Sequence, residues 1–143
     1  SKPTIISTGC LTEAELTVLL DFQKKYGHEA VKLLHCVSAY PCPTAQANLS
    51  AISLYGLDGF SDHTGDPETG AWAYLAGANI LEVHFKHGLT DKENPDFPHS
   101  HYGEELETYV RLVHRAAEAF GDGKGKRTMP GEEPMRKYLV DAT

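Results

Sequence analysis

The chain has 143 residues, 41% hydrophobic and 23% charged, which is enough for one compact domain with a core of its own. A formal net charge of −7 argues against a nucleic-acid backbone or an anionic membrane surface as the main partner, and the apolar runs are too short to span a bilayer. An anionic substrate stays compatible, because local side chains, a bound ion and helix N-termini set the field inside a pocket.

Thr4-Ile5-Ile6-Ser7 is a short β-branched run closed by Thr8-Gly9, the pattern of a strand and its turn. No signal-peptide pattern precedes it, and so abrupt a start is expected of a processed chain or a piece of a longer one. Thr12-Glu13-Ala14-Glu15 has the capping-box arrangement, a hydroxyl at the cap and a carboxylate three residues later. Leu16, Leu19, Leu20 and Phe22 then form a helical stripe that Gly27 ends. Val31 to Cys36 reads as the second strand, followed by a loop with Pro41 and Pro43 and a short helix from about Leu49 to Leu54. Gly59-Phe60-Ser61 is a third strand, with a helix from about Glu68 to Ala76. Ile80 to Phe85 is the fourth, leading through a long polar loop to a helix from about Gly103 to Phe120. From Gly121-Asp122-Gly123-Lys124-Gly125 onward the chain reads as an extended tail.

Cys10, Cys36 and Cys42 are an odd number, and the Cys36–Cys42 spacing is wider than a structural zinc hairpin. Reduced thiols in a cytoplasmic protein are expected.

Strands alternating with helices predict βαβ units and a parallel sheet. An open doubly wound sheet and a barrel segment both satisfy that. The first turn lacks Gly-x-Gly-x-x-Gly, which weighs against a dinucleotide site. Ser7, His35 to Ser38, Ser61-Asp62-His63 and Glu82-Val83-His84 all fall at or just past strand C-termini, the end that carries chemistry in a (β/α)8 barrel. His63 and His84 end neighbouring strands and could share one divalent ion; equally, each could simply hydrogen-bond the adjacent strand. Asp62 or Glu82 could orient a ring from behind or be an ordinary strand-end carboxylate.

The segments Lys2-Pro3-Thr4-Ile5-Ile6-Ser7-Thr8-Gly9, Leu33-Leu34-His35-Cys36-Val37-Ser38-Ala39-Tyr40-Pro41, Asn48-Leu49, Gly59-Phe60-Ser61-Asp62-His63-Thr64 and Ile80-Leu81-Glu82-Val83-His84-Phe85 together resemble the N-acetylneuraminate (sialic acid) synthase family in order and spacing. That family includes legionaminate and pseudaminate synthases and relatives in spore-coat polysaccharide synthesis. The resemblance covers about residues 2 to 138. It implies an α/β fold of four successive βα units, strands five to eight of a (β/α)8 TIM barrel, over residues 1–128. Residues 129–143 would then be a tail or linker.

The resemblance also implies a transferase that condenses phosphoenolpyruvate with N-acetylmannosamine or its 6-phosphate, giving N-acetylneuraminate or its 9-phosphate. His63 and His84 match the metal ligands, for a divalent ion such as Mn, Mg or Co. Glu82 is the candidate catalytic carboxylate; Ser7 and Ser61 match contacts to phosphoenolpyruvate; Ser38, Tyr40 and Asp96 match contacts to the N-acylated hexosamine. Ser38 stands where Asn is frequent, and Asn94-Pro95-Asp96 replaces a Gly-Pro-Asp motif. The departure continues through Phe97 to Tyr102, so the choice of acceptor is less determined than the reaction. A legionaminate, pseudaminate or spore-coat synthase is the alternative, and a non-catalytic half barrel that binds a ligand or partner is a second. His99 and His101 are expected to be solvated loop residues, and Cys36 a packing residue.

The family's phosphate-binding lysines lie on strands that would precede Lys2, and its C-terminal antifreeze-like domain is also missing here. The 143 residues alone are therefore expected to be inactive. Four strands leave two sheet edges and an inner face, including Ile5, Leu33 and Phe60 or their neighbours, uncovered, so a homodimer is expected, with the chain's own terminal segments over that face as the alternative.

Overall fold

The computed structural model describes residues 2–141. Four strands, β1 (Thr4–Ser7), β2 (Val31–Cys36), β3 (Gly59–Asp62) and β4 (Ile80–Val83), form one parallel sheet in chain order. The connecting helices are α1 (Glu13–Tyr26), α2 (Ser50–Tyr55) and α3 (Thr69–Leu75), with α4 (Gly103–Phe120) after β4. This is half of a (β/α)8 barrel, as expected.

The predicted capping box starts α1. Glu15 Oε2 accepts from the Thr12 backbone N–H at 2.8 Å and from its hydroxyl at 2.7 Å, so the first turn is tied at both ends of the motif. Between sheet and helices lie two apolar clusters. Leu16, Val31, Leu33 and Leu57 pack under α1; Ala47, Ile52, Phe60, Ala73 and Ala78 pack under α2 and α3. Leu33, Ile52 and Phe60 are fully buried, and each such side chain contributes about 1.5–3 kcal/mol. Gln23, also fully buried, donates to the Val31 carbonyl at 3.0 Å and to Asp58 Oδ2 at 2.6 Å, which joins α1, the start of β2 and the approach to β3.

Two expectations are corrected here. Leu33 and Phe60 do not line the inner face: strand alternation turns them toward the helices, and of the three residues named only Ile5 is exposed. The tail is not extended throughout, since Glu133–Asp141 forms a helix, α5, preceded by a 3-10 turn at Pro130–Glu132. Its glutamates at the start give it a favourable N-terminus that the glycine-rich stretch before it concealed.

Candidate metal and substrate site

Sheet register builds the site. Ser61 is level with Glu82 and Asp62 with Val83 in the β3–β4 ladder. Residues two apart in a strand share a face, so His63 and His84 continue the side on which Ser61 and Glu82 project. The Ser61 hydroxyl donates to Glu82 Oε1 at 3.0 Å, and above that pair the His63 and His84 ring centroids are 5.3 Å apart. Asp62 points the other way. It accepts from the Thr64 N–H and hydroxyl at 2.8 and 2.7 Å and from the Tyr109 hydroxyl of α4 at 3.2 Å. Burial still pushes its carboxyl above the ordinary range, and burial beside Asp62 pushes the Tyr109 phenol far upward. Asp62 is an anchor for the end of β3, not a partner of either ring in the site.

His63 is buried, and its Nδ1 lies 3.1 Å from the Val37 carbonyl. A carbonyl can only accept, so Nδ1 carries the proton and Nε2 keeps its lone pair. Metal-binding imidazoles are held in this way from behind. Tyr40 covers the ring, with centroids 4.5 Å apart. His84 is half-buried, and its Nδ1 is 3.6 Å from Asp96 Oδ2.

The loop after β4 closes the site in a way the sequence did not suggest. The His101 N–H donates to the His84 carbonyl and the Lys86 N–H to the His101 carbonyl, both at 2.9 Å, so His101 bridges to Phe85 and lies along the outer edge of β4. Lys86, in the loop after β4, is buried. Its ammonium donates to the Phe97 carbonyl at 2.9 Å and sits over the Phe97 and Tyr102 rings at 4.4 and 4.6 Å. This fold-back carries Asp96 and His99 over His84.

His99 and His101 are therefore not solvated; both are buried. His101 packs against Tyr109 at 5.5 Å. His99 instead faces the site, with its ring 4.6 Å from His84, 5.6 Å from His63 and 5.3 Å from Tyr40. Burial, then the neighbouring His84, holds it below the usual histidine range, so the ring stays neutral with a lone pair available. One ligand atom each from His84, Asp96 and His99 all fall within 4.8 Å of one another. Imidazoles with a carboxylate suit a divalent first-row ion.

The other predicted residues divide. Tyr40, Ser61, Glu82 and Asp96 gather around the histidines. Ser38 is exposed and packs so closely on Gly9 that a Cβ there would overlap the serine hydroxyl. Ser7 pairs with Leu34, which is level with Gly59, so Ser7 lies two residues deeper than the Ser61–Glu82 pair. His35, grouped with the site by its position, is structural: its Nε2 donates to the Ala47 carbonyl at 2.8 Å. The Cys36 thiol is pushed upward by burial, in keeping with a packing role.

A family model described as the NeuB family matches residues 1–125. The chain is 35% identical to a pseudaminic acid synthase of Campylobacter jejuni, with 86% of this chain and 37% of that protein aligned. It is 33% identical to an N,N'-diacetyllegionaminic acid synthase of Campylobacter jejuni over 98% of this chain and 45% of that protein. A crystal structure of the N-acetylneuraminic acid (sialic acid) synthetase of Leptospira borgpetersenii superposes with a TM-score of 0.78 at 31% identity, covering 95% of this chain and 48% of the other. The chain thus spans less than half the length of these relatives.

Proposed function

The chain belongs to the NeuB family, and on that premise we propose that it supplies the metal- and acceptor-binding half of a synthase joining phosphoenolpyruvate to an N-acylated hexosamine. The observation that carries this reading is the stacking of Ser61–Glu82 below His63–His84 at the C-terminal end of two neighbouring strands. His63 and His84 would hold a divalent ion, which would supply Lewis acidity for an aldehyde oxygen.

In this reading the chain's own groups position and exclude. Ser61 holds the Glu82 carboxylate in one orientation, so Glu82 can take or return a proton at the acceptor without first reorganising. The Ser61 hydroxyl and, deeper in the half barrel, Ser7 provide contacts for the carboxylate and phosphate of phosphoenolpyruvate. Tyr40 walls off the His63 ring from water, and Asp96, half exposed, offers a carboxylate to sugar hydroxyls. In the same reading the exposed Ser38 hydroxyl is a further contact for the acceptor. The acceptor is N-acetylmannosamine or its 6-phosphate, and the product N-acetylneuraminate or its 9-phosphate.

A second acceptor class is favoured by one observation. The segment from Asn94 to Tyr102 folds back over the site, and the relatives that align over most of the chain include pseudaminic and diacetyllegionaminic acid synthases. A diacetamido hexose is the alternative acceptor. As to assembly, β4 is partly covered by His101, whereas β1 pairs only with β2 among the described residues, and a second copy of the chain along β1 is part of the proposal.

The test is a backbone NMR titration of the zinc-loaded chain with N-acetylmannosamine, its 6-phosphate and a diacetamido hexose, each with and without phosphoenolpyruvate. Shifts centred on Ser38, Tyr40, Ser61 and Asp96 support the reading, and the sugar that produces them at the lowest concentration names the acceptor. Shifts elsewhere, or none with any sugar, overturn it.

A further inference from the structure

We propose that His99 is a third imidazole ligand of the metal site, making it nitrogen-rich and selective for ions such as Co²⁺ over Mn²⁺ and Mg²⁺. This deepens the site of the previous section and rests on its assignment of His63 and His84.

The first observation is burial without a partner. His99 is fully buried, and among the described residues neither Nδ1 nor Nε2 has a hydrogen-bond partner. Leaving both ring nitrogens dry and unpaired costs about 1–3 kcal/mol for each unmet group. His101 is unpaired too, but it faces Tyr109 on the helix side, so burial alone does not select His99. The second observation is direction. The His99 ring is flanked by the His84, Tyr40 and His63 rings at 4.6, 5.3 and 5.6 Å, and Asp96 Oδ1 lies 3.6 Å from its Nε2. That separation is too long for a good hydrogen bond, yet the ligand atoms of His84, Asp96 and His99 are close enough to converge on one ion.

Third, the segment carrying His99 is fastened in place: Lys86 grips the Phe97 carbonyl, Ser100 Oγ donates to the Asp96 carbonyl at 2.6 Å, and His101 pairs with the end of β4. A ring so held enters the site with little conformational freedom left to lose.

The chemical consequence follows from ligand type. Carboxylate and water ligands suit Mg²⁺ and Mn²⁺, whereas each added imidazole moves preference along the series toward Co²⁺ and Zn²⁺. A two-histidine site is permissive; His99, converging with His84 and Asp96 and joined by the His63 ring, which lies outside that close group, makes it discriminating.

The test is calorimetric titration of the 143-residue chain with Co²⁺, Mn²⁺ and Mg²⁺, together with the visible spectrum of the Co²⁺ form. The variants are His99→Leu, His99→Gln and His63→Ala. Wild type is expected to prefer Co²⁺ to Mn²⁺ by at least about tenfold. Both His99 variants should bind Co²⁺ at least about tenfold more weakly, change its visible spectrum and narrow the Co²⁺/Mn²⁺ ratio. His99→Leu tests for misfolding as the cause, because an apolar side chain of similar size removes an unpaired buried ring and should melt no lower than wild type without metal. Binding that is lost in His63→Ala but unchanged in affinity and spectrum in both His99 variants overturns this inference and leaves the two-histidine site standing. Failure of wild type to bind any of the ions overturns both.

Discussion

Replacing Tyr109 by Phe isolates the bond that anchors the end of β3. Tyr109 is buried, and its hydroxyl reaches Asp62 Oδ2 at 3.2 Å through a gap that exists because residue 70 is glycine. The Phe variant keeps the ring and its packing on His101 but leaves Asp62 Oδ2 without its buried donor, while Thr64 still serves Oδ1. A hydrogen bond to a charged group contributes about 1.5–3 kcal/mol. For a domain of this size, roughly 3 °C accompanies each kcal/mol, so the melting midpoint should fall by about 5–9 °C. Circular dichroism melts at pH 8, well above the ordinary carboxylate range, measure this directly. In an Asp62→Asn background the same substitution should cost only about 0.5–1.5 kcal/mol, giving a coupling near 1 kcal/mol in the double-mutant cycle. An unchanged midpoint for Tyr109→Phe, or equal losses in both backgrounds, would refute the claim that this pair holds β3 in place.

Gly70→Ala places a Cβ inside the Tyr109 ring, so thermal denaturation should show a loss of about 1–3 kcal/mol. Gln23→Ala takes the side-chain donor from the Val31 carbonyl and one of two donors from Asp58 Oδ2, the Leu33 N–H remaining; urea titration should show about 1–3 kcal/mol less stability. Lys86→Met frees the Phe97–Tyr102 segment without touching a ligand. Hydrogen exchange at His101 should quicken, and Co²⁺ affinity should drop about tenfold, the scale of a lost supporting contact.

Much of the half barrel is legible in the residues themselves. The Thr12–Glu15 box, the β-branched runs and the glycine stops each specify an element through local chemistry, and the parallel order follows from strands alternating with helices. The paired placement of Ser61 with Glu82, and of His63 with His84, is legible for a related reason, because a period of two residues fixes which side chains share a face. What escapes sequence reading depends on contacts between distant segments. Leu33 and Phe60 are apolar strand residues, and nothing local says which face of the sheet they take. His99 and His101 sit in a stretch with the composition of a solvated loop, and only the burial of Lys86 between Phe97 and Tyr102 folds that stretch back over β4. Two histidines so near Asp96 were the available signal. Their separate destinations, one toward the His63 and His84 rings and one against Tyr109, follow from tertiary packing.

One divalent ion shared by His63 and His84 at the end of β3 and β4 is the proposal on which the rest depends. Calorimetric titration of the chain and of His63→Ala and His84→Ala with Mn²⁺ or Co²⁺ tests it most directly. The account predicts a single site in the wild type that is lost in either variant, and unchanged affinity in both variants would contradict it.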